Sequence, residues 1–468
     1  MLFSSLTFLF IFLPIILLIY YISKDKYKNY ILLIFSLIFY SWGEPKYIIL
    51  MLLSIFFNYY FAIFIDKFNN KKNLRKTIFI ISIIFNIGLL FGFKYLGFFT
   101  NSVSNLFSLN IPSLNISLPI GISFYTFQIL SYVVDVYKKD VAVQKNIFNL
   151  GTYIVLFPQL IAGPIVRYST IEKELNSRKH TLENFSNGIR RFIIGLGKKV
   201  IIANNMAIIA DTIFNNALSS NYNGLILIFG TLAYTFQIYF DFSGYSDMAI
   251  GLGKMFGFEF LENFDYPYIS RSITEFWRRW HMSLSTWFRD YVYIPLGGNR
   301  VSKLKWIRNI LVVWTLTGLW HGASWNFVLW GLYFALILLL EKILLNKILS
   351  KIPSIFRWIY TFILINIGWI IFRAENMELL IYIFKNIINF ANYSISDLLS
   401  INYSLINYIP FIIMAFIFSF PLLKKINNTF YKNKLYLTLK DISICFIFII
   451  SIFMLVSNSY NPFIYFRF

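Results

Sequence analysis

Cysteine is nearly missing from this chain: Cys445 stands alone among 468 residues. No intramolecular disulfide and no cysteine-cluster metal site can be built from one thiol. Cys445 falls in the apolar run Ile442–Met454, where an inert buried thiol is the expectation rather than a nucleophile. Charge is scarce, at 13% of residues, and acidic residues are scarcest, with 21 against 42 basic ones. Histidine occurs three times, as His180, His281 and His321. No His-x-x-x-His or His–Glu pair offers a zinc site, so no metal is expected. A Gly-x-Ser-x-Gly elbow and a Walker loop are also absent, which leaves serine-hydrolase and nucleotide-hydrolysis readings without support. There is no repeat of about 20–50 residues, no low-complexity linker and no detachable soluble domain.

What the chain does have is apolar length. Hydrophobic residues make up 58% of it, and its mean hydropathy is +0.65. Runs suited to membrane helices fall at about 3–22, 30–42, 47–65, 77–99, 118–137, 148–163, 189–214, 224–253, 306–322, 324–341, 354–372, 404–422 and 438–457. A full span needs roughly 20 apolar residues, so 30–42 and 148–163 are short. The fold class expected is an all-α polytopic membrane protein, with residues 1–468 as one integral membrane domain. The net charge of +21 invites a nucleic-acid partner. Its Lys and Arg fall in loops between apolar runs, as positive-inside topology requires, and no nucleic acid is expected. The first segment lacks a basic leader and a small-residue cleavage site, so it reads as a retained helix. The loops Lys24–Lys28, Asp66–Lys76 and Lys138–Asp140 are basic, whereas Gly43–Lys46 is neutral and Thr100–Ser117 carries no charge. That alternation places the N-terminus outside and the first, third and fifth loops in the cytoplasm of a cell-membrane protein.

Two segments depart from regular spans. In Leu156-Phe-Pro-Gln-Leu-Ile-Ala-Gly-Pro-Ile-Val-Arg167, Pro158 and Pro164 break a helix and Gly163-Pro164 favours a turn. The following loop, Arg167–Arg191, looks cytoplasmic, so the segment is expected to leave and return on one side. Residues 255–305 hold no clear span but contain Trp277, Trp280 and Trp287 with Arg278, Arg279, Arg289 and Arg300. That mixture suits a helix at the interface or dipping into the bilayer.

The window Trp277–Trp330 contains 8 of the 11 Trp and two of the histidines. Imidazole is the side chain best suited to exchange a proton near neutral pH. On a helix turning about 100° per residue, Trp287, Trp280, Leu284, Trp277 and Phe288 share an arc. His281 lies at its edge and Ser285, Arg278 and Arg289 follow. His281 is thus either a ligand-facing imidazole or an interfacial histidine in an aromatic belt. His321 comes 13 residues after Arg308, roughly 20 Å along a helix and well inside the membrane. Gly318 and Gly322 flank it, allowing close helix packing or close approach of a substrate. Either it is buried and bonded to a neighbouring helix, or it reacts. Asp241 and Asp247 lie in the run 224–253 and are costly there unless paired. One is expected to orient an imidazole or pair with an Arg of 271–289; a structural ion pair is the alternative, especially for Asp247. His180, in the charged loop, is expected to be a solvated bystander.

Four segments resemble the membrane-bound O-acyltransferase superfamily, MBOAT, and most closely its bacterial alginate and exopolysaccharide O-acetylase branch. They are Phe157-Pro-Gln-Leu-Ile-Ala-Gly-Pro164, Tyr239-Phe-Asp-Phe-Ser-Gly-Tyr-Ser-Asp-Met-Ala-Ile-Gly251, Phe276-Trp-Arg-Arg-Trp-His-Met-Ser-Leu-Ser-Thr-Trp-Phe-Arg-Asp-Tyr291 and Leu319-Trp-His-Gly-Ala-Ser-Trp-Asn326. Tyr293–Arg300 and Asn461–Phe468 also fit that branch. The resemblance implies a ring of roughly 11 membrane helices, with re-entrant and interfacial helices, around a central funnel. It implies an active-site region at about 239–330, with His321 as the catalytic histidine and His281 at the second active-site position. Asp241, Trp280, Arg278, Arg289, Trp320 and Asn326 are the supporting candidates, and the arginines face either donor phosphates or plain membrane anchoring. No bound cofactor is implied; an acyl thioester such as acetyl-CoA is the donor on the cytoplasmic side. The acceptor is a polysaccharide hydroxyl, reached through an extracytoplasmic SGNH-type acetyltransferase. D-alanyl transfer to teichoic acid and peptidoglycan O-acetylation are close alternatives. A transporter is a distant one, since it predicts paired interrupted helices and only the interruption at 158–164 is visible.

Overall fold

The computed structural model describes residues 1–112, 116–220, 222–390, 407–457 and 460–464. The start of the expected run 404–422, the middle of the uncharged loop Thr100–Ser117 and the motif residues Tyr465–Phe468 lie outside the described residues. All regular secondary structure among the described residues is helical, which is how an apolar chain satisfies its backbone without water. Among the described residues seven helices are long and apolar enough to cross a membrane: Ile48–Lys67, Lys72–Phe107, Leu182–Asn216, Gly224–Met255, Trp325–Leu349, Ser354–Arg373 and Lys434–Ser457. An eighth span results if Ile409–Phe418 and Leu422–Phe430, bent by 57°, act together. Phe8–Ile22, Lys28–Gly43 and Ile122–Lys138 are shorter apolar helices. This is why the count differs from the roughly 11 spans expected at about 20 residues each.

Contacts group the chain into two compact units, residues 1–192 with 248–261, and residues 193–247 with 262–468. In the first unit, Asn58 and Asn86 exchange amide hydrogen bonds of 3.0 and 2.7 Å between Ile48–Lys67 and Lys72–Phe107, polar pairing that ties helices together in an apolar setting. The 148–163 run forms a nine-residue helix, Ile147–Val155, then a single turn, Phe157–Leu160. Nine residues rise only about 14 Å, short of a span. Everything from Leu150 to Val166 is buried. The broken backbone is satisfied internally: Phe157 N–H donates to Ser36 Oγ at 3.0 Å and Gln159 Nε2 donates to Tyr153 O at 2.6 Å.

In the second unit, Lys303–His321 and Trp325–Leu349 form a close hairpin. A Cβ on Gly318 would lie 2.2 Å from Phe327 O, one on Gly331 2.2 Å from Trp314 O, and one on Gly322 2.1 Å from the Phe327 ring. The Gly318 and Gly322 pair therefore serves helix packing.

Candidate active site

The segment expected as one helix through Trp277–Arg289 is broken at its histidine. Ile273–Arg279 and Met282–Phe288 are separate seven-residue helices. Between them Trp280 is extended and His281 is left-handed, with φ 45° and ψ 52°. That backbone costs a non-glycine residue roughly 1–2 kcal/mol, so the surroundings must hold it. They do so through the loop at Asn263–Asp265. Asp265 N–H donates to Arg279 O and Met282 N–H donates to Asn263 O, both at 3.0 Å. The Arg279 guanidinium closes on the Asp265 and Glu275 carboxylates at 2.9 and 3.0 Å.

Both short helices have hydrogen-bond partners elsewhere in the chain, and the first also has its own cap, Ser272 Oγ accepting from Glu275 N–H at 3.0 Å. The buried Glu341 carboxylate accepts from Ile273 N–H at 2.7 Å, Thr274 N–H at 3.1 Å and Thr274 Oγ at 3.0 Å. Asn263 Oδ1 accepts from Ser283 N–H at 3.2 Å and Ser283 Oγ at 2.9 Å. An N-cap side chain usually bonds the first turn of its own helix. Here His281 occupies the N-cap without doing so, because Asn263 satisfies that turn. The imidazole is thereby released from capping.

His281 is buried, at 1% exposure. Its Nδ1 lies 3.2 Å from Asn263 Oδ1, and the edge of Phe242 meets it at 4.6 Å between ring centres. His321 ends the helix Lys303–His321 and is 5% exposed. Trp320, Trp330 and Phe372 surround it edge-on at 5.0, 5.0 and 5.3 Å. The two imidazole centres are 6.5 Å apart. Trp320 touches both rings, at 5.8 Å from His281.

His281 lines a cavity of about 180 Å³, far above the roughly 10–15 Å³ that admits one water. Trp277, Leu284, Phe288, Ile310, Val313, Trp314 and Leu338 form its apolar wall, and Ser285, Thr317, Arg289, Tyr293 and Lys342 supply polar groups. His321 is one helical turn past Thr317. His321 itself does not line the cavity. A mostly apolar cavity with a few convergent polar groups and a buried imidazole is the form small-substrate sites take.

The structure rearranges several expectations. Trp277 and Trp280 are interior, not part of an interfacial belt. Trp277 packs against Trp314, Phe334 and Trp330 at 4.7, 4.9 and 5.6 Å, and Trp280 against Trp369 at 4.9 Å. Trp280 is therefore a core residue that shapes the His281 turn. Asp241 pairs neither with an imidazole nor with an Arg of 271–289. Its carboxylate lies 2.7 Å from Lys199 Nζ, and both side chains are 2% exposed. It also accepts from Ile464 N–H at 2.9 Å. Asp247 pairs with Lys198 at 2.7 Å. The adjacent lysines stand where the helix Leu182–Asn216 widens into a π-turn at Lys198–Ala203, bringing both to the Asp-bearing helix. Of the arginines, Arg289 lines the cavity and is chelated by Asp290 at 2.6 and 3.1 Å. Arg278 is exposed and does not line it. Asn326 is buried and its amide donates to Ala374 O, a tie between helices. His180 is no solvated bystander: its Nε2 bonds the Tyr20 hydroxyl at 2.9 Å in the first unit. Asn263 and Glu341 went unnoticed in the sequence. Glu341 carried a usable signal, an acidic residue closing an apolar run; Asn263 carried none.

The model of the MBOAT, membrane-bound O-acyltransferase family matches residues 128–384. The chain is 43% identical over 402 residues to the probable alginate O-acetylase AlgI of Pseudomonas aeruginosa, covering 85% of this chain and 77% of that protein. It is 33% identical over 518 aligned positions to the peptidoglycan O-acetyltransferase of Helicobacter pylori, covering 100% and 98%. It is 32% identical over 290 residues to the teichoic acid D-alanyltransferase of Bacillus subtilis, covering 56% and 71%.

Proposed function

Because this chain belongs to the MBOAT, membrane-bound O-acyltransferase family, we propose that it moves an acetyl group from a cytoplasmic thioester toward hydroxyls of an exported polysaccharide. The chain is a multi-pass helical O-acyltransferase. The observation that carries the mechanism is the pair of buried imidazoles 6.5 Å apart, one of which, His281, lines a cavity. His321 takes the proton of the acceptor hydroxyl as that oxygen attacks the acyl carbonyl carbon. The C–S bond then breaks, and the departing thiolate recovers the proton from His321. No metal or covalent enzyme intermediate is required for such a transfer. His281 either positions a reactant or steadies developing charge.

The donor is acetyl-CoA or an acyl group on a carrier. The protein lies in the cell membrane with its N-terminus outside, and an extracytoplasmic SGNH-type acetyltransferase passes the acetyl group to the polymer. The Pseudomonas aeruginosa relative, by its name, supports polysaccharide as acceptor. The Helicobacter pylori relative spans the whole chain and favours peptidoglycan as a second reading.

Purified protein in detergent with radiolabelled acetyl-CoA tests the proposal, following thioester hydrolysis and transfer to polysaccharide or peptidoglycan fragments. Removing a general base costs about 10²–10⁴-fold, so turnover should fall by that much in His321→Ala. A folded His321→Ala protein that still transfers acetyl at the normal rate would overturn the mechanism. A protein that refuses acetyl-CoA yet accepts a carrier-bound D-alanyl thioester would overturn the acetyl assignment.

A further inference from the structure

Asn263 bonds in a way that leaves its amide no freedom to turn over. A backbone N–H can only donate, so the atom 3.2 Å from Ser283 N must be oxygen. The nitrogen end agrees, with Nδ2 donating to Ser246 Oγ at 3.1 Å. The same Oδ1 lies 3.2 Å from His281 Nδ1. An amide oxygen carries no hydrogen, so Nδ1 must carry one and donate it. In a neutral imidazole the other nitrogen is then bare. That nitrogen, Nε2, is buried and has no hydrogen-bond partner among the described residues, on a residue that lines the cavity.

We infer that Asn263 is a positioning residue that locks His281 in the Nδ1–H tautomer, making its Nε2 a hydrogen-bond acceptor for the reactants. The backbone carries the same design. Asn263 O and Oδ1 take the first N–H groups of the helix Met282–Phe288, so the residue that orients the imidazole also holds the left-handed turn presenting it. The inference rests on the reading that reactants enter this cavity, and it narrows the role of His281. A bare Nε2 cannot donate to an oxyanion. It accepts from a substrate O–H or N–H other than the reacting hydroxyl, whose proton goes to His321. A second hydroxyl of the acceptor and an amide N–H of the thioester arm share that chemistry.

The test uses the full chain with ¹⁵N-labelled histidine in lipid bilayers, read by solid-state NMR near neutral pH. The chain has three histidines, so three imidazoles appear, and His281 is assigned by the signal lost in His281→Gln. His180 serves as an opposite reference: the Tyr20 hydroxyl donates to Phe256 O at 2.9 Å, so it accepts from His180 Nε2–H. Wild-type His281 should show a protonated Nδ1 and a bare Nε2. Asn263→Ala should give a mixture of tautomers and lower kcat/KM by about 10–100-fold, the scale of loss when the partner that orients a metal-ligating imidazole is removed. Asn263→Asp should keep Nδ1 protonated and recover much of the rate, because a carboxylate oxygen also accepts. A rise in KM for the thioester assigns the partner as the donor's N–H; a rise in KM for the acceptor assigns it as a hydroxyl. A wild-type His281 protonated at Nε2 overturns the inference, and so does an Asn263→Ala protein with unchanged tautomer and unchanged kcat/KM. If Asn263→Ala does not fold, the wild-type spectrum decides alone. The tautomer is read without turnover, so failure of the acyl-transfer proposal would be seen separately.

Discussion

At the scale of single residues, the three histidines differ by the partner each one finds. His321 is enclosed by aromatic edges, His281 is gripped by an amide oxygen, and His180 is gripped by a phenol. His180 lies in the loop before the span Leu182–Asn216, outside the membrane-spanning segments. Burial holds its pKa below the ordinary value of 6.5, and the charges of Lys28 and Arg178 push the same way. A base whose folded pKa is depressed binds fewer protons folded than unfolded, so stability rises with pH across that window. The Tyr20–His180 contribution is therefore whole above the ordinary histidine pKa and fades as pH falls through it. Melting of the wild type in detergent should drop more between about pH 8 and about pH 5 than melting of His180→Gln. Equal drops in the two proteins would remove the assignment.

Among elements, the hairpin Lys303–His321 with Trp325–Leu349 fixes where His321 stands. Its closeness depends on glycines, and they are not equivalent. A methyl at Gly318 meets the Phe327 carbonyl at 2.2 Å, whereas one at Gly322 meets the Phe327 ring at 2.1 Å. A backbone atom cannot move without shifting its helix, but a ring can turn. Gly318→Ala should therefore cost about 1–3 kcal/mol or more, and Gly322→Ala less. Gly88 has nothing within 4 Å of its added carbon, so Gly88→Ala should stabilise by up to about 1 kcal/mol through helix propensity alone. Thermal unfolding in detergent ranks the three, and a Gly318→Ala protein as stable as wild type would contradict the packing argument. The two short helices around His281 follow different logic. Seven residues are too few to hold a helix by propensity; Ser272 and Glu341 hold the first turn of one and Asn263 that of the other.

For the whole molecule, the question is how a chain with so little charge spends the charge it buries. In the second unit Lys199 and Asp241 form an ion pair that also takes in the C-terminal segment. Lys199 Nζ donates to Pro462 O, Asp241 accepts from Ile464 N–H at 2.9 Å, and Tyr245 stacks on Phe463 at 4.8 Å. Arg373 joins Asp211 at 3.0 Å nearby, and the Tyr460 hydroxyl donates to Asp211. Breaking a buried pair strands a charge and costs about 3–5 kcal/mol, whereas replacing both partners by apolar residues of similar size is close to neutral. Lys199→Met should therefore destabilise strongly, and Lys199→Met with Asp241→Leu should recover most of the loss. Additive losses in the double variant would mean that the two residues do not act as a pair.

The sequence by itself determined the membrane class and the position of most helices. Each of these is a local property, because apolar run length sets a span. It also located the tryptophan-rich stretch with both site histidines. It could not separate an interior cluster from an interfacial belt, because both demand the same aromatic composition. Only the tertiary structure decided the break at Trp280–His281, since the hydrogen bonds that hold it come from Asn263 and Asp265, and no local pattern encodes them. Tertiary structure likewise assigned Asp241 to Lys199 rather than to an imidazole or arginine. A buried carboxylate takes whichever cation packing brings within reach, and here packing brought one from 42 positions earlier in the chain.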